Sequence, residues 1–431
     1  MKTWQTYVCA AALTAIWPAA MAETLLDLYQ LAQQADPQYR IAGKERDAAA
    51  EQRNQARSQL LPSIMAGASA DKQWGRGLAS DHTATGYSLS LKQALFNRPD
   101  RITHEQADIG TRKAEADYQA EAQDLIMRVA SRYFAVLAAQ EQVHFAKRNQ
   151  EAILQQLTQA RQRYDVGLIA ITDVKEAEAL HDLARADEID AQNQLDIALE
   201  SLREVINAEI KKLATLSPDM PLPQPDPNNA EEWIRTALEH NPQFIAARLG
   251  DDLAAKDILR NQAARLPTVD FTARHQYGDT DNDGFGGGYA HTNSLGVEVS
   301  VPLYLGGAID SRIREAHVRK EQAQDRVEQS RRAIQRQARQ AYLDVLAGIS
   351  RVNALKQATA SSKAANEATQ AGFNVGTRTT VEVLNVQRDL LRAQRDYDRA
   401  RYDYVVGTLR LKQAAGLLSI SDLEAINAWL R

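Results

Sequence analysis

The sequence predicts a mainly α-helical protein whose long helical hairpins carry four β-strands of a membrane β-barrel. Three observations lead there: an internal duplication, nearly proline-free segments far longer than an ordinary globular helix, and a pair of period-two stretches in each half. The duplication is visible at several places. Asp36-Pro37-Gln38-Tyr39 answers Asn241-Pro242-Gln243-Phe244, and Leu61-Pro62 answers Leu266-Pro267, both 205 residues apart. Tyr133 answers Tyr342 and Gly167 answers Gly376, both 209 residues apart. Two copies indicate a duplicated unit rather than a solenoid, which needs three or more repeats.

The first element is an export signal. Lys2 precedes an apolar run through Trp17, and Ala20-Met21-Ala22 is a small-x-small cleavage pattern. Residues 1–22 therefore read as a signal peptide, with Glu23 the first mature residue. The one cysteine, Cys9, lies inside that signal. The exported chain then has no disulfide or thiolate chemistry, and no cysteine to carry a lipid anchor. A net charge of −5 argues against nucleic acid as a partner. No mature segment reaches the roughly 18 consecutive apolar residues of a membrane-spanning helix.

The first structural repeat is expected over 23–217 and the second over 229–431. The connector at 218–228 carries Pro218, Pro221, Pro223, Pro225 and Pro227, too many for a helix, and reads as extended. Each repeat reads helix, strand, strand, long helix, hinge, long helix, with strands at about 62–97 and 267–305. Leu295, Val297, Val299, Val301 and Leu303 alternate with polar or small residues, as do Val269, Phe271, Ala273, His275 and Tyr277, and Tyr87, Leu89 and Leu91. One apolar and one polar face over about ten residues suits a lipid-facing barrel strand, although a soluble sheet shows the same alternation. Four strands cannot close a barrel, since the smallest have about eight. Lipid-facing strands would therefore demand a barrel shared between chains.

Between Pro99 and Asp165 no further proline interrupts the chain, and about 60 helical residues span roughly 90 Å. Val383, Leu390, Tyr397, Tyr404 and Leu411 recur every seven residues, and Ala177, Ala184, Ala191, Ala198 and Val205 form a small-residue stripe in the first half. That spacing implies left-handed supercoiling with close helix approach. A rod-like periplasmic structural or adaptor protein, without its own pore, would show the same heptads. It gives no reason for strand pairs inserted at matching places in both halves.

Two hinge tips, at about 164–173 and 373–382, close the hairpins. Glycine there suits the left-handed residue that ends a helix. Val166, Gly167 and Leu168, with Val375, Gly376 and Thr377, are short, apolar or β-branched, so a partner-docking surface is expected at these tips. Enzymatic chemistry has no foothold. The eight histidines form no metal-ligand spacing, no Gly-x-Ser-x-Gly occurs, and no cofactor or metal is expected.

The duplicated order, the Leu-Pro strand starts and the two Val-Gly hinges resemble the TolC family of outer-membrane channels over nearly all of the mature chain. Arg-Ser-Gln-Leu-Leu-Pro at 57–62, Ala-Ile-Thr-Asp-Val at 170–174 and Pro-Leu-Tyr-Leu-Gly-Gly at 302–307 add to the likeness. The resemblance implies a homotrimer with a twelve-stranded barrel surrounded by outer-membrane lipid. Its helices would form a periplasmic tunnel tapering to a closed tip, where a periplasmic adaptor and an inner-membrane pump engage it. The implied function is the exit duct of a tripartite efflux pump, of a type I secretion system, or of both. At the tip, the resemblance pairs Arg378 across subunits with Thr172 and Asp173. Phe373 stands where the family's type protein has a tyrosine reaching that aspartate, and here the hydroxyl is missing. The family's acidic ring falls on Glu382 and Asn385, one charge retained and one lost. Arg378, Glu382, Asn385 and Asp389 lie at i, i+4, i+7 and i+11, on one helical stripe. Asp389 is therefore expected to restore the charge lost at Asn385.

Overall fold

The computed structural model describes residues 22–74, 82–282, 288–375 and 377–431. The export signal, apart from Ala22, lies outside these residues, as does Gly376 of the second tip. The elements run α1 (Leu25–Ala35), α2 (Pro37–Ser58), β1 (Ser63–Gln73), β2 (His82–Phe96), α3 (Arg98–Asp165) and α4 (Ile171–Ile206). The second half repeats them as α5 (Ala230–His240), α6 (Pro242–Ala263), β3 (Thr268–Asn282), β4 (Gly288–Ser300), α7 (Ala308–Asn374) and α8 (Thr380–Ala414), and α9 (Ile420–Asn427) follows.

Each half opens with two helices where the sequence pattern suggested one. The break falls at Asp36-Pro37 and again at Asn241-Pro242. Proline has no N–H to continue the preceding helix but suits the first position of a new one. Asp36 caps α2 by accepting the Tyr39 N–H at 2.8 Å. Asn241 caps α6 by accepting the Gln243 and Phe244 N–H groups at 3.0 and 3.2 Å.

Helices α3 and α7 have 68 and 67 residues, about 100 Å each. The return helices, α4 and α8, have 36 and 35 residues and cover only the hinge half of their partners. The other half is covered by α2 on α3 and by α6 on α7, so each long helix is paired along its length. Side by side the hairpins form a layer in the order α4, α3, α8, α7.

The main core lies midway along, where the short helices meet the hairpins. Tyr133, Val136 and Leu137 of α3, Leu202 of α4, Val345 of α7, and Tyr404 and Leu409 of α8 are fully buried there. The connector is extended, as its prolines require, but it is packed rather than loose. Leu213, Leu216 and Met220 are buried against this core. The Tyr133 hydroxyl donates to the Ala214 carbonyl at 2.6 Å. Its repeat mate, Tyr342, donates to Asn228 Oδ1 at 2.8 Å. Tyr404 donates to the Pro223 carbonyl at 2.7 Å, and the buried Arg401 donates to the Ser217 carbonyl. Tyr342 and Tyr404 thus hold the connector, and Tyr133 and Arg401 hold the residues just ahead of it.

The expected seams form. Ala177, Ala184, Ala191 and Val205 are buried against α3. On α8, Tyr404 and Leu411 are buried, whereas Val383, Leu390 and Tyr397 nearer the hinge are only half-buried. Packing therefore thins toward the tips, and thinly packed ends open locally at lowest cost.

Candidate functional site: the hinge tips and the open sheet

The first tip is a Schellman turn. Gly167 takes φ +74°, its N–H donates to the Tyr164 carbonyl, and the Leu168 N–H donates to the Arg163 carbonyl, both at 2.9 Å. Those two bonds satisfy the carbonyls that the end of α3 would otherwise leave bare. The second tip repeats the longer bond 209 residues on, with the Thr377 N–H donating to the Gly372 carbonyl at 2.9 Å. Val166, Leu168 and Val375 stand 69, 72 and 75 % exposed, and Thr377 is exposed beside them. Both tips present apolar side chains to solvent. Behind the first tip a small cluster of Leu157, Val174 and Ala177 anchors the turn.

Thr172 and Asp173 lie exposed in the first turn of α4, which begins without a side-chain cap. Phe373 is half-buried in the last turn of α7. Arg378 leads into α8, where Thr379 and Glu382 form a capping box. The Glu382 carboxylate accepts the Thr379 N–H at 2.7 Å and its hydroxyl at 3.0 Å, and the Glu382 N–H donates to Thr379 Oγ1 at 3.3 Å. Arg378 Nη1 donates to the other carboxylate oxygen at 3.1 Å. The Thr379 N–H, then the Arg378 guanidinium and the Thr379 hydroxyl, hold the Glu382 carboxyl below the usual carboxylate range. The Arg378 stem packs so closely on Gly372 that an added Cβ there would stand 2.8 Å from Arg378 Cγ.

Arg378, Thr379 and Glu382 are thus assembled within one chain. Among the described residues Arg378 has no ion pair with Asp173 of its own chain. Asn385 and Asp389 are exposed on α8, and Asp389 lies 3.6 Å from Arg388. Glu382 therefore has a capping role that the stripe argument missed, although the Thr-x-x-Glu spacing signals it.

At the other end of the hairpins, β1-β2-β3-β4 form one antiparallel sheet in chain order. β2 of the first half pairs with β3 of the second, and β1 and β4 are edges. The register carries the alternation across every strand. Ile64 pairs with Leu91, which pairs with Ala273, which pairs with Leu295. Ala66-Leu89 and Phe271-Val297 lie on that same apolar face. Lys92, Thr272, Arg274 and Ser294 occupy the opposite face, where Lys92 pairs with Asp270 at 3.0 Å. Toward the loops the apolar face ends in rings. Tyr87 stacks on Tyr277 at 5.2 Å, and Tyr277 lies 4.9 Å from His291. An apolar band closed by aromatic side chains is the lipid-facing pattern of a membrane barrel. β4 stops at Ser300, short of the expected Leu303, because Pro302 cannot donate to a ladder. Both interstrand loops, at 75–81 and 283–287, fall outside the described residues. No described helix is long and apolar enough to cross a membrane.

Long hairpins ending in a sheet with an apolar face and two unpaired edges define a protein of the outer-membrane channel class. The chain matches the outer membrane efflux protein family at residues 28–208 and 233–417, the same two spacings as its internal repeat, and it belongs to that family. Over 426 residues it is 36 % identical to Outer membrane protein TolC of Vibrio cholerae, covering 98 % of this chain and 97 % of that protein. It is 27 % identical to Alkaline protease secretion protein AprF of Pseudomonas aeruginosa, covering 99 % of this chain and 92 % of that one. Its fold superimposes on the Campylobacter jejuni CmeC outer membrane channel with a TM-score of 0.78 at 17 % identity, covering 94 % of this chain and 90 % of that one. The protein is an outer-membrane exit duct of the efflux and secretion class, and its family is one of channels, not enzymes.

Proposed function

We propose that three copies of this chain close one twelve-stranded barrel in outer-membrane lipid and one helical tunnel below it. The observation that carries this is the open sheet. Its apolar face extends across four strands, with Gln93, His275 and Asn293 set among the apolar side chains, and β1 and β4 each lack a partner on one side. An unpaired edge inside lipid would leave backbone N–H and C=O groups unsatisfied at several kcal/mol each. Pairing β4 of one chain with β1 of the next removes both edges. A pore-free coiled-coil protein would instead expose this apolar face to water.

The tips are read as the gate and the docking surface. Arg378, reaching Thr172 and Asp173 of a neighbouring subunit, would hold the tunnel shut, with Phe373 packed beside it. Glu382, with Asp389 standing in for the charge absent at Asn385, would ring the passage with carboxylates that attract cations. Val166, Gly167 and Leu168, with Val375, Gly376 and Thr377, would receive a periplasmic adaptor that links the duct to an inner-membrane pump. The cargo is chosen by that pump. The likeness to a protein named for protease secretion supports protein export, and the family's name supports efflux. Deleting the gene and scoring drug sensitivity alongside secreted protein tests both: a change in either supports a duct, and no change in either contradicts it.

A further inference from the structure

A cavity of about 1220 Å³ opens between the two hairpins, lined by α3, α4, α7 and α8 together. A space reached by the two outer helices of the layer as well as the two inner ones lies on its hollow side. In a closed trimer that side is the tunnel wall.

The cations of this cavity are all arginines: Arg351 on α7, and Arg388, Arg392, Arg395, Arg399 and Arg410 on α8. Arg388, Arg392, Arg395 and Arg399 stand at i, i+4, i+7 and i+11, so they share one face and span about 16 Å. Like charges at this spacing oppose helix formation, and Asp389, Asp396 and Asp403, three or four residues from Arg392 or Arg399, offset that repulsion without closing an ion pair on either. Only two of its members are partnered. Arg388 lies by Asp389 at 3.6 Å. Arg395 bonds to Gln142 Oε1 at 3.3 Å and to Asp396, and covers the Phe145 ring at 4.9 Å. Arg392 and Arg399 are exposed, and neither has a carboxylate within 4 Å among the described residues. The cavity's acids, Glu141, Asp187, Asp190, Asp344 and Asp403, likewise lie beyond ion-pair distance of the row. Asp187 and Asp190 belong to α4, not to the helix that carries the row. Burial, with Asp398 nearby, raises the Glu141 carboxyl above its usual range and weakens it as a counter-charge.

We propose that the arginine row of α8 is a binding track for small, elongated molecules carrying several anionic groups, which it holds as they pass along the tunnel. Guanidinium forks suit carboxylate, sulfate and phosphate, and a row of them at helical spacing can hand such groups from one fork to the next. The proposal rests on the reading of the chain as a conduit and adds a cargo class to it.

The test uses reconstituted protein in planar bilayers with tripolyphosphate as the probe. The wild type should show current block by tripolyphosphate. The double variant R392Q/R399Q should need about tenfold more for the same block, two charge-assisted contacts being lost. Its reversal potential in a KCl gradient should also shift toward cations. Both arginines are exposed and unpaired, so folding is spared, and R336Q, on α7 outside the cavity, should leave the block unchanged. Equal block in wild type and R392Q/R399Q overturns the track while leaving the conduit intact. If no channels form, the conduit reading falls, and calorimetric titration of tripolyphosphate onto the detergent-solubilised protein decides the track alone. Binding lost in the double variant supports it, and no binding to the wild type overturns it.

Discussion

Arg378, two residues ahead of α8, is held by Glu382 in that helix's first turn, with Nη1 3.1 Å from Oε1. The arginine proposed for the gate therefore has a partner inside its own chain. An exposed ion pair of this kind is weak, being screened by solvent. Exchanging Glu382 for Asp173 of a neighbour would be nearly isoenergetic, which suits a gate that must both hold and release. Arg378→Ser should raise single-channel conductance, as should Asp173→Ala. If the two residues share one contact, the double variant should conduct like either single one. Additive increases in bilayer recordings would show that they act separately.

Acid should loosen the same tip. The Thr379 and Arg378 contacts lower the Glu382 pKa from its ordinary 4.5. A depressed carboxyl stabilises the folded tip fully above that ordinary value and loses its contribution as pH falls through the lower folded value. Local opening of the first turn of α8, read as amide exchange corrected for its intrinsic pH dependence, should increase as pH falls below about 4.5, and Glu382→Gln should flatten that increase. An identical pH profile in the variant would count against the capping box as the sensor.

Two glycines separate docking from gating. At Gly167 an added Cβ meets nothing within 4 Å, but φ is +74°. A side chain there costs about 1–2 kcal/mol of local strain and points into solvent. Gly167→Trp should therefore still assemble while losing export, because the obstruction lies on the proposed docking surface. Gly372→Ala has the opposite geometry, since its Cβ would press on Arg378. It should change conductance in the isolated channel with no adaptor present. Export unchanged in Gly167→Trp, or conductance unchanged in Gly372→Ala, would refute the respective role.

The sheet should accept charge on one face only. Val297→Arg places a cation on the apolar face, at about 2–4 kcal/mol near the bilayer midplane, and should lower the temperature at which oligomers dissociate in detergent. Ser300→Arg, on the opposite face across from Thr268, should assemble normally. Equal tolerance on both faces would mean a water-exposed sheet.

Much of this architecture is written in local pattern. Period-two alternation through Val297 and Val299 placed β4, and the Val-Gly hinges fixed where α3 and α7 turn. The ends were less legible. Pro302 stops β4 before the alternation does, and Asp36-Pro37 breaks a helix that periodicity alone runs through. Packing between distant segments left no local trace, so nothing near Tyr133 announces its bond to Ala214. At the tip the stripe reading of Glu382 missed its capping role, which the Thr-x-x-Glu spacing signals. The arginine row at 388–399 was open to the same helical-spacing argument, but its significance depends on a cavity that only four packed helices create.

The central claim is that the sheet's free edges close between chains into one membrane pore. Outer-membrane fractions extracted in detergent should yield trimers that resist mild denaturant, dissociate on heating, and conduct as single channels in planar bilayers. A water-soluble, elongated monomer that leaves the bilayer silent would contradict it.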